Sequence, residues 1–397
     1  MNYKDFYSEQ EVIDLARALV QLPSHKDTPG RECEVATYIK DYCERAGLLV
    51  TTESVDGERF NVYVTLKGKT SERAILFNGH MDTVPPYKMT IDPFEAIVKD
   101  GYLWGRGCND MKGALASMII AMLAIQRSGK RLEGDVILTA VVGEEENSDG
   151  TETVVLSKLK AEAAIVGEPS NYEYAIGHRG LEWLEFRFKG KAAHGGVPKE
   201  GINAISQAAK FITCVETELM PQLELRLNEY MGPSVLNFGK ITGGTQPSTV
   251  ADECTLQLDR RYIIGESVES VLAEFQDLID KLKWEDPTFL CEMVRMPSNL
   301  MNHFDHMYHF TSPNETIVKT VDKVLEAHLA RKPEITRKRG WTDAATLSYY
   351  GQIPTVITGP GDIAASHTAD EKISIQSMVD YVKIYAEIAV QFLEAGR

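Results

Sequence analysis

Apolar positions near the start of the chain, Val12, Leu15, Ala16 and Leu19, recur at the spacing of one helical face. Ser8 and Glu11 stand ahead of them as a capping-box pair. A second helical pattern over about residues 31–46 stops at Gly47, a residue suited to the turn that ends a helix. The period then shortens to that of strands in LLVTTES, FNVYVTL and RAILFNGH. A helix from about Lys112 to Arg127, the strand GDVILTAVV, a short helix and the strand AEAAIVG follow. This alternation predicts an α/β sheet with helices on its faces.

Near residue 178 the pattern changes. WLEFRF alternates apolar and polar residues, as a half-exposed antiparallel strand does. After it come a helix near GINAISQAAKFITCVETEL, the strands SVLNFGKI and ECTLQLDRRYI, a helix near SVESVLAEFQDLIDKL and the strand FLCEMVRM. The order β-α-β-β-α-β predicts a ferredoxin-like α+β domain set into the larger one. The first pattern resumes with the helix ETIVKTVDKVLEAHLA, the strand IPTVIT and a closing helix, SIQSMVDYVKIYAEIAVQFLE. The expected domains are therefore residues 1–178 and 301–397 together, with 179–300 inserted.

At 397 residues the chain has room for two cores, and 43% hydrophobic with 25% charged residues is ordinary for a globular protein. A net charge of -16 argues against nucleic acid as partner. The N-terminus lacks the basic and apolar regions of a signal peptide. No run approaches the roughly 18 apolar residues that cross a membrane. Six cysteines without C-x-x-C spacing suit reduced thiols and a cytoplasmic location.

Candidate chemistry collects at strand ends, where open α/β sheets bind ligands. RAILFNG runs into His80, GDVILTAVVG into Glu144 and Glu145, and EAAIVG into Glu168. IPTVIT is followed by a Gly-rich turn and His367, and Asp110 sits in GRGCNDMKG just before a helix. Taken singly, each reads as a solvated loop residue, a structural histidine or a helix cap. Together they form a mixed N/O donor set suited to zinc or a similar divalent ion. Asp82, two residues after His80, faces the same side of an extended chain and is placed to bind the far nitrogen of its ring. Glu144 and Glu145 point apart, so one can bind metal while the other stays free as a general base; spacing does not say which, nor whether Glu146 takes part.

The ordered segments GHMDTVP, GRGCNDMKGALASM, GEEENSDGT, VGEPS, AAHGGVPKEGINAI and SHTADE resemble the motifs of a two-zinc amidohydrolase family. That family contains acetylornithine deacetylase, succinyl-diaminopimelate desuccinylase, aminoacylases and glutamate-releasing carboxypeptidases. The resemblance runs from about residue 78 to 371 and implies a zinc-peptidase-like catalytic domain, with a central mixed sheet between helices, and an inserted dimerisation or lid domain. It implies two divalent ions, zinc first with cobalt or manganese as alternatives. His80 and Glu168 would hold one, Glu145 and His367 the other, and Asp110 would bridge them. Glu144 would be the general base, with Asp82 orienting His80. His194 resembles a histidine that reaches a partner subunit's active site in a homodimer. Arg261 resembles the arginine that binds the substrate carboxylate, with Arg260 as the competing choice, and Asn203 belongs to a substrate-facing motif.

Two stretches depart from the family pattern. Gly143 stands where an acidic residue often precedes the glutamate pair, and STVADE (248–253) replaces the usual Asn-Val-Ile-Pro. Other motifs fail: GRGCND ends in Asp110 rather than the last glycine of a dinucleotide fingerprint, GKT at 68–70 lacks the upstream glycine of a phosphate loop, and no G-x-S-x-G occurs. Cys108 has no indicated base partner, and core packing accounts for Trp183, Trp341 and Asp343. The expected activity is metal-dependent hydrolysis of the amide of a small N-acyl amino acid. An exopeptidase acting on short peptides and a metal-free binding or regulatory homologue are the alternatives.

Overall fold

The computed structural model describes residues 2–395. The chain divides into two compact units: the first runs up to Ile176 and takes in Phe310–Thr336 and the chain from Thr342 onward, and the second is Gly177–His309 with Arg337–Trp341.

The first unit is built on a six-stranded sheet. Its strands are β1 (Leu49–Asp56), β2 (Arg59–Leu66), β3 (Ala74–His80), β4 (Asp135–Val141), β5 (Ala163–Val166) and β6 (Thr355–Ile357), in the order β1-β2-β4-β3-β5-β6. β3 runs parallel to both β4 and β5, and β6 is parallel to β5, while β1, β2 and β4 pair antiparallel. The parallel strands at the centre are covered on both faces, so β3 and β4 are buried along their whole lengths. On one face Leu76, Val141, Ala164 and Ile357 form a core with Val154 of the helix Asp149–Leu156 and with Leu347. On the other, Phe77 meets Tyr385, centroids 5.4 Å apart. Tyr385 lies on the long helix Ile375–Glu394.

Helix Gly113–Arg127 packs against Ile375–Glu394, with the Ser117 hydroxyl donating to the Met378 carbonyl at 3.0 Å. It requires one correction to the sequence reading. With the turn before it, Cys108–Arg127 is 20 residues long and holds an 18-residue window of mean hydropathy 1.4, enough to cross a membrane by length and composition, yet 94% of that window is buried inside the fold. Its apolar sides have protein on every face, which is why its composition mimics a span.

The second unit carries a four-stranded antiparallel sheet in the order Val235–Gly243, Glu253–Tyr262, Gly180–Lys189, Leu290–Arg295. Helices Ala204–Cys214 and Val268–Glu285 meet it through Phe186, which contacts Phe211 and Phe275 at 4.6 and 5.3 Å between centroids. This is the β-α-β-β-α-β sandwich. The unit continues to His309, beyond the expected residue 300, and takes back Arg337–Trp341. Hydrogen bonds explain both differences: the His306 carbonyl accepts from Leu181 N (2.9 Å) and the Tyr262 hydroxyl (2.8 Å), and Trp341 Nε1 donates to the Met307 carbonyl (2.9 Å). Such pairings leave no periodic signal in the chain.

Candidate metal centre

The site lies at the carboxyl ends of β3, β4 and β5, all in the first unit. Glycine precedes the polar residue on two of these strands for a packing reason. A Cβ at Gly79 would stand 2.7 Å from the Met111 methyl, and one at Gly167 would stand 2.6 and 2.8 Å from the methyls of Met118 and Met111. The chain can therefore bring His80 and Glu168 up against the segment that carries Asp110 only without side chains there.

Asp110 is the centre of the arrangement. Its Oδ1 lies 3.1 Å from His80 Nε2 and its Oδ2 lies 3.4 Å from His367 Nε2. His80 Nε2 is also 3.5 Å from Glu168 Oε1, and His367 Nε2 is 3.0 Å from Glu145 Oε1. Two trios of donor atoms result, each within a 4.8 Å span: His80, Asp110 and Glu168, and Asp110, Glu145 and His367. Glu144 stands alongside, its Oε2 4.0 Å from His80 Nε2, and also forms a trio with His80 and Glu145.

The electrostatics follow from burying many carboxylates together. Burial raises the Glu144 carboxyl well above its usual range, and neighbouring carboxylates add to this. Burial likewise lifts Glu145 to about 7. Burial opposes ionisation of Asp110, but the two imidazoles outweigh it and hold Asp110 well below its ordinary value. Burial also works against a charged His80, yet Asp110, Asp82, Glu168 and Glu144 raise its pKa well above 6.5. Asp110 and Glu145 raise His367 to about 10. Protons on the imidazoles thus occupy the place where cations balance a carboxylate cluster, and a divalent ion would displace them.

Asp82 supports the site through bonds other than those read from its spacing. His80 Nδ1 faces the Asp82 backbone carbonyl at 3.0 Å, with the carboxylate Oδ1 farther off at 3.5 Å. The two carboxylate oxygens instead accept the backbone N–H groups of Glu144 (3.2 Å) and Glu145 (2.9 Å). Asp82 thereby fixes the histidine by its main chain and the glutamate pair by its side chain.

Gly143 has φ +76° and a Cβ there would lie 2.7 Å from Arg59 Nη2. That guanidinium is bound to Glu32 and Asp149, so an acidic side chain at 143 has neither space nor a relaxed backbone. The Gly143 carbonyl accepts from the N–H groups of Glu146, Asn147 and Ser148, which winds the glutamate loop. Glu146 pairs with Arg31 instead of entering the cluster.

The remaining candidates lie in the second unit. His194 is exposed, its Nδ1 accepting from Gly196 N at 3.0 Å. Its segment pairs with STVADE through Gly195 N to the Ser248 carbonyl (2.7 Å) and Val250 N to the Ala193 carbonyl (2.9 Å). Asn203 caps helix Ala204–Cys214, its Oδ1 accepting from Ser206 N at 3.1 Å. The two adjacent arginines separate cleanly. Arg260 is fully buried, bonded to Glu266 at 2.5 Å and Glu274 at 3.3 Å. Arg261 points to the opposite face, pairing with Asp259 at 2.8 Å and keeping 22% of its side chain exposed.

Residues outside the expected set also shape the site. Asp343 is buried and lifted to about 7 by that burial. Lys112, two residues after Asp110, is buried, lowered to about 7 by that burial, and donates to the Leu22 carbonyl at 2.7 Å. Arg106 and Glu371 form a buried pair beside the Asp110 loop. Their signal was an acid four residues after His367 and an arginine four before Asp110, spacings that mean nothing until both loops meet. Cys108 is buried, its thiol raised well above its ordinary pKa by burial, as an inert core residue would be.

A mixed sheet whose strand ends gather two imidazoles and several carboxylates, on a chain that also carries a ferredoxin-like unit, defines a hydrolase of the metallopeptidase and amidohydrolase class. The chain belongs to peptidase family M20/M25/M40, whose model matches residues 76–391. It is similar to an N-formyl-4-amino-5-aminomethyl-2-methylpyrimidine deformylase of Halalkalibacterium halodurans, 28% identical over 95% of this chain and 93% of that protein. It is also similar to a probable succinyl-diaminopimelate desuccinylase of Staphylococcus aureus, 25% identical over 98% of this chain and 99% of that one. In fold it matches the aminopeptidase PepT of Bacillus cereus with a TM-score of 0.80, at 22% identity over 98% of this chain and 99% of that one.

Proposed function

We propose that the protein removes the acyl group from a small N-acyl amino acid by hydrolysing its amide bond at a two-metal centre. The observation that carries this reading is the division of Asp110, one oxygen toward each histidine. A carboxylate so placed would serve two cations at once, and the donor set of nitrogen and oxygen suits zinc, with cobalt or manganese as substitutes. His80 and Glu168 would hold one ion, Glu145 and His367 the other. Paired ions of this kind lower the pKa of water and polarise a carbonyl.

The chain's own groups supply the rest. Glu144 accepts the proton of the attacking water and delivers it to the leaving amine; burial, which raises its pKa, makes it a stronger base for the first transfer. Asp82 holds Glu144 in place by its backbone N–H. Arg261, paired through Nε with Asp259 and partly exposed, is the arginine placed to receive a substrate carboxylate, since Arg260 is fully buried on Glu266 and Glu274. His194 acts as a hydrogen-bond donor to the carbonyl oxygen in the active site of a second copy. Asn203, by contrast, has its side-chain oxygen committed to the helix it caps, which leaves its amide N–H groups for substrate.

A homodimer through the second unit follows from this role of His194. The strand Val235–Gly243 ends its sheet and is largely exposed, with Ile241 52% accessible, so its edge is available to pair with its counterpart. Six free cysteines fit a reducing, cytoplasmic setting. The deformylase and desuccinylase relatives are both named for removing an acyl group from nitrogen. Chelated protein reloaded with zinc, cobalt or manganese should cleave members of a panel of N-formyl, N-acetyl, N-succinyl and N-carbamoyl amino acids faster than di- and tripeptides. Faster cleavage of the peptides would replace the deacylase with an exopeptidase, and purified protein that binds no metal would remove the hydrolytic reading altogether.

A further inference from the structure

The loop that carries Asp110 and the loop that carries His367 are fastened together by one buried ion pair. Glu371 is fully buried and Arg106 is 2% exposed. Glu371 Oε2 accepts from Arg106 Nη1 at 2.5 Å, while its Oε1 accepts from the backbone N–H groups of Asn109 (3.0 Å) and Asp110 (3.2 Å). Arg106 Nη2 donates to the carbonyl of Thr368, the residue after His367, at 3.3 Å. The Asn109 side chain completes the fastening, donating to the Asp362 carbonyl (2.9 Å) and Ser366 Oγ (3.0 Å) and accepting from Asp362 N (3.2 Å).

We infer that Arg106 and Glu371 are positioning residues that set the separation of Asp110 and His367 and thereby create the Glu145–His367 metal position. The inference rests on the two-metal reading above. His80 has a different support: it ends a central strand, and its ring is held by the Asp82 carbonyl. His367 lies on a loop, with φ +60°, and the Arg106–Glu371 pair anchors that loop on its C-terminal side. Loss of the pair should therefore fall on one ion and spare the other.

The test is metal titration of the chelated full-length protein with cobalt, followed by absorbance, alongside zinc stoichiometry by elemental analysis. Glu371→Gln keeps one oxygen to accept the two backbone N–H groups and puts an amide NH2, which cannot accept from Arg106, in place of the charged oxygen facing it. It should weaken one ion about 10- to 100-fold, as changes behind metal ligands do, and leave the other unchanged. Because an unpaired buried arginine can itself unfold a protein, the double variant Arg106→Met/Glu371→Gln, which removes both charges, is measured beside it. It should show the same selective loss. Two ions bound at wild-type affinity in either folded variant would overturn the inference. So would equal weakening of both ions, the mark of a general loss of structure. Wild-type protein that binds fewer than two ions would instead defeat the two-metal reading from which the inference starts.

Discussion

His80 and His367 approach the same carboxylate from opposite sides, yet only one of them is enclosed. His80 is 1% exposed at the end of a strand buried throughout, whereas half of the His367 side chain is open to solvent. The strand end is fixed by the hydrogen bonds of the sheet and by packing against Met111. The loop is fixed by a handful of polar bonds to its neighbour. A centre assembled this way has a rigid half and an adjustable half, and the two should respond differently to the same perturbation.

The largest effect should come from a residue between the halves. Glu144→Gln should lose about 100- to 10,000-fold in kcat while retaining both ions, measured by steady-state kinetics with metal analysis. Full turnover would remove Glu144 from the reaction. Next, His367→Ala should shed one ion per chain and keep the other, whereas His80→Ala should disturb both, since its ring is buried at a strand end against the shared Asp110 and its loss leaves a cavity there. Equal stoichiometries in the two variants would erase the distinction between rigid and adjustable halves.

The adjacent arginines permit a similar contrast in the second unit. Arg260→Ala removes the fully buried partner of Glu266 and Glu274, leaves them Arg226 alone, and should cost up to about 3–5 kcal/mol of stability, seen in denaturant unfolding. Arg261→Ala should leave stability nearly unchanged and raise KM more than it lowers kcat. The smallest effect concerns pH. In metal-free protein His367 is raised from 6.5 to about 10, first of all by Asp110, which stays ionised, so that ion pair contributes its full stability below about pH 6.5. That contribution disappears as pH rises through about 10. The difference in melting temperature between chelated wild type and His367→Ala should follow this curve, and zinc should bind with release of protons.

Much of the first unit was legible because its elements are periodic and its candidate ligands stand at strand ends. His80, Glu144, Glu145 and Glu168 follow apolar runs directly, so the topology of a parallel sheet brings them together. Which of Arg260 and Arg261 is buried was also within reach. Cys254, Leu256, Leu258 and Tyr262 share the buried face with Arg260, and Arg261 falls on the other by simple alternation. The bonds of Asp82 were not legible, because spacing places its side chain near His80 and says nothing of the glutamate loop folding back onto it. Nor was the return of Arg337–Trp341 to the second unit, which depends on the Trp341 indole finding a carbonyl 34 residues away.

The apolar helix Gly113–Arg127 has a consequence for synthesis. Much of its cover is Ile375–Glu394, so a growing chain must wait more than two hundred residues before that shelter emerges from the ribosome. During the interval a greasy rod bearing one of the key carboxylates at its leading end lies open to neighbours. Ribosome-stalled fragments ending before residue 375 should bind a hydrophobic dye or a holdase chaperone, and completion of the final helix should release it.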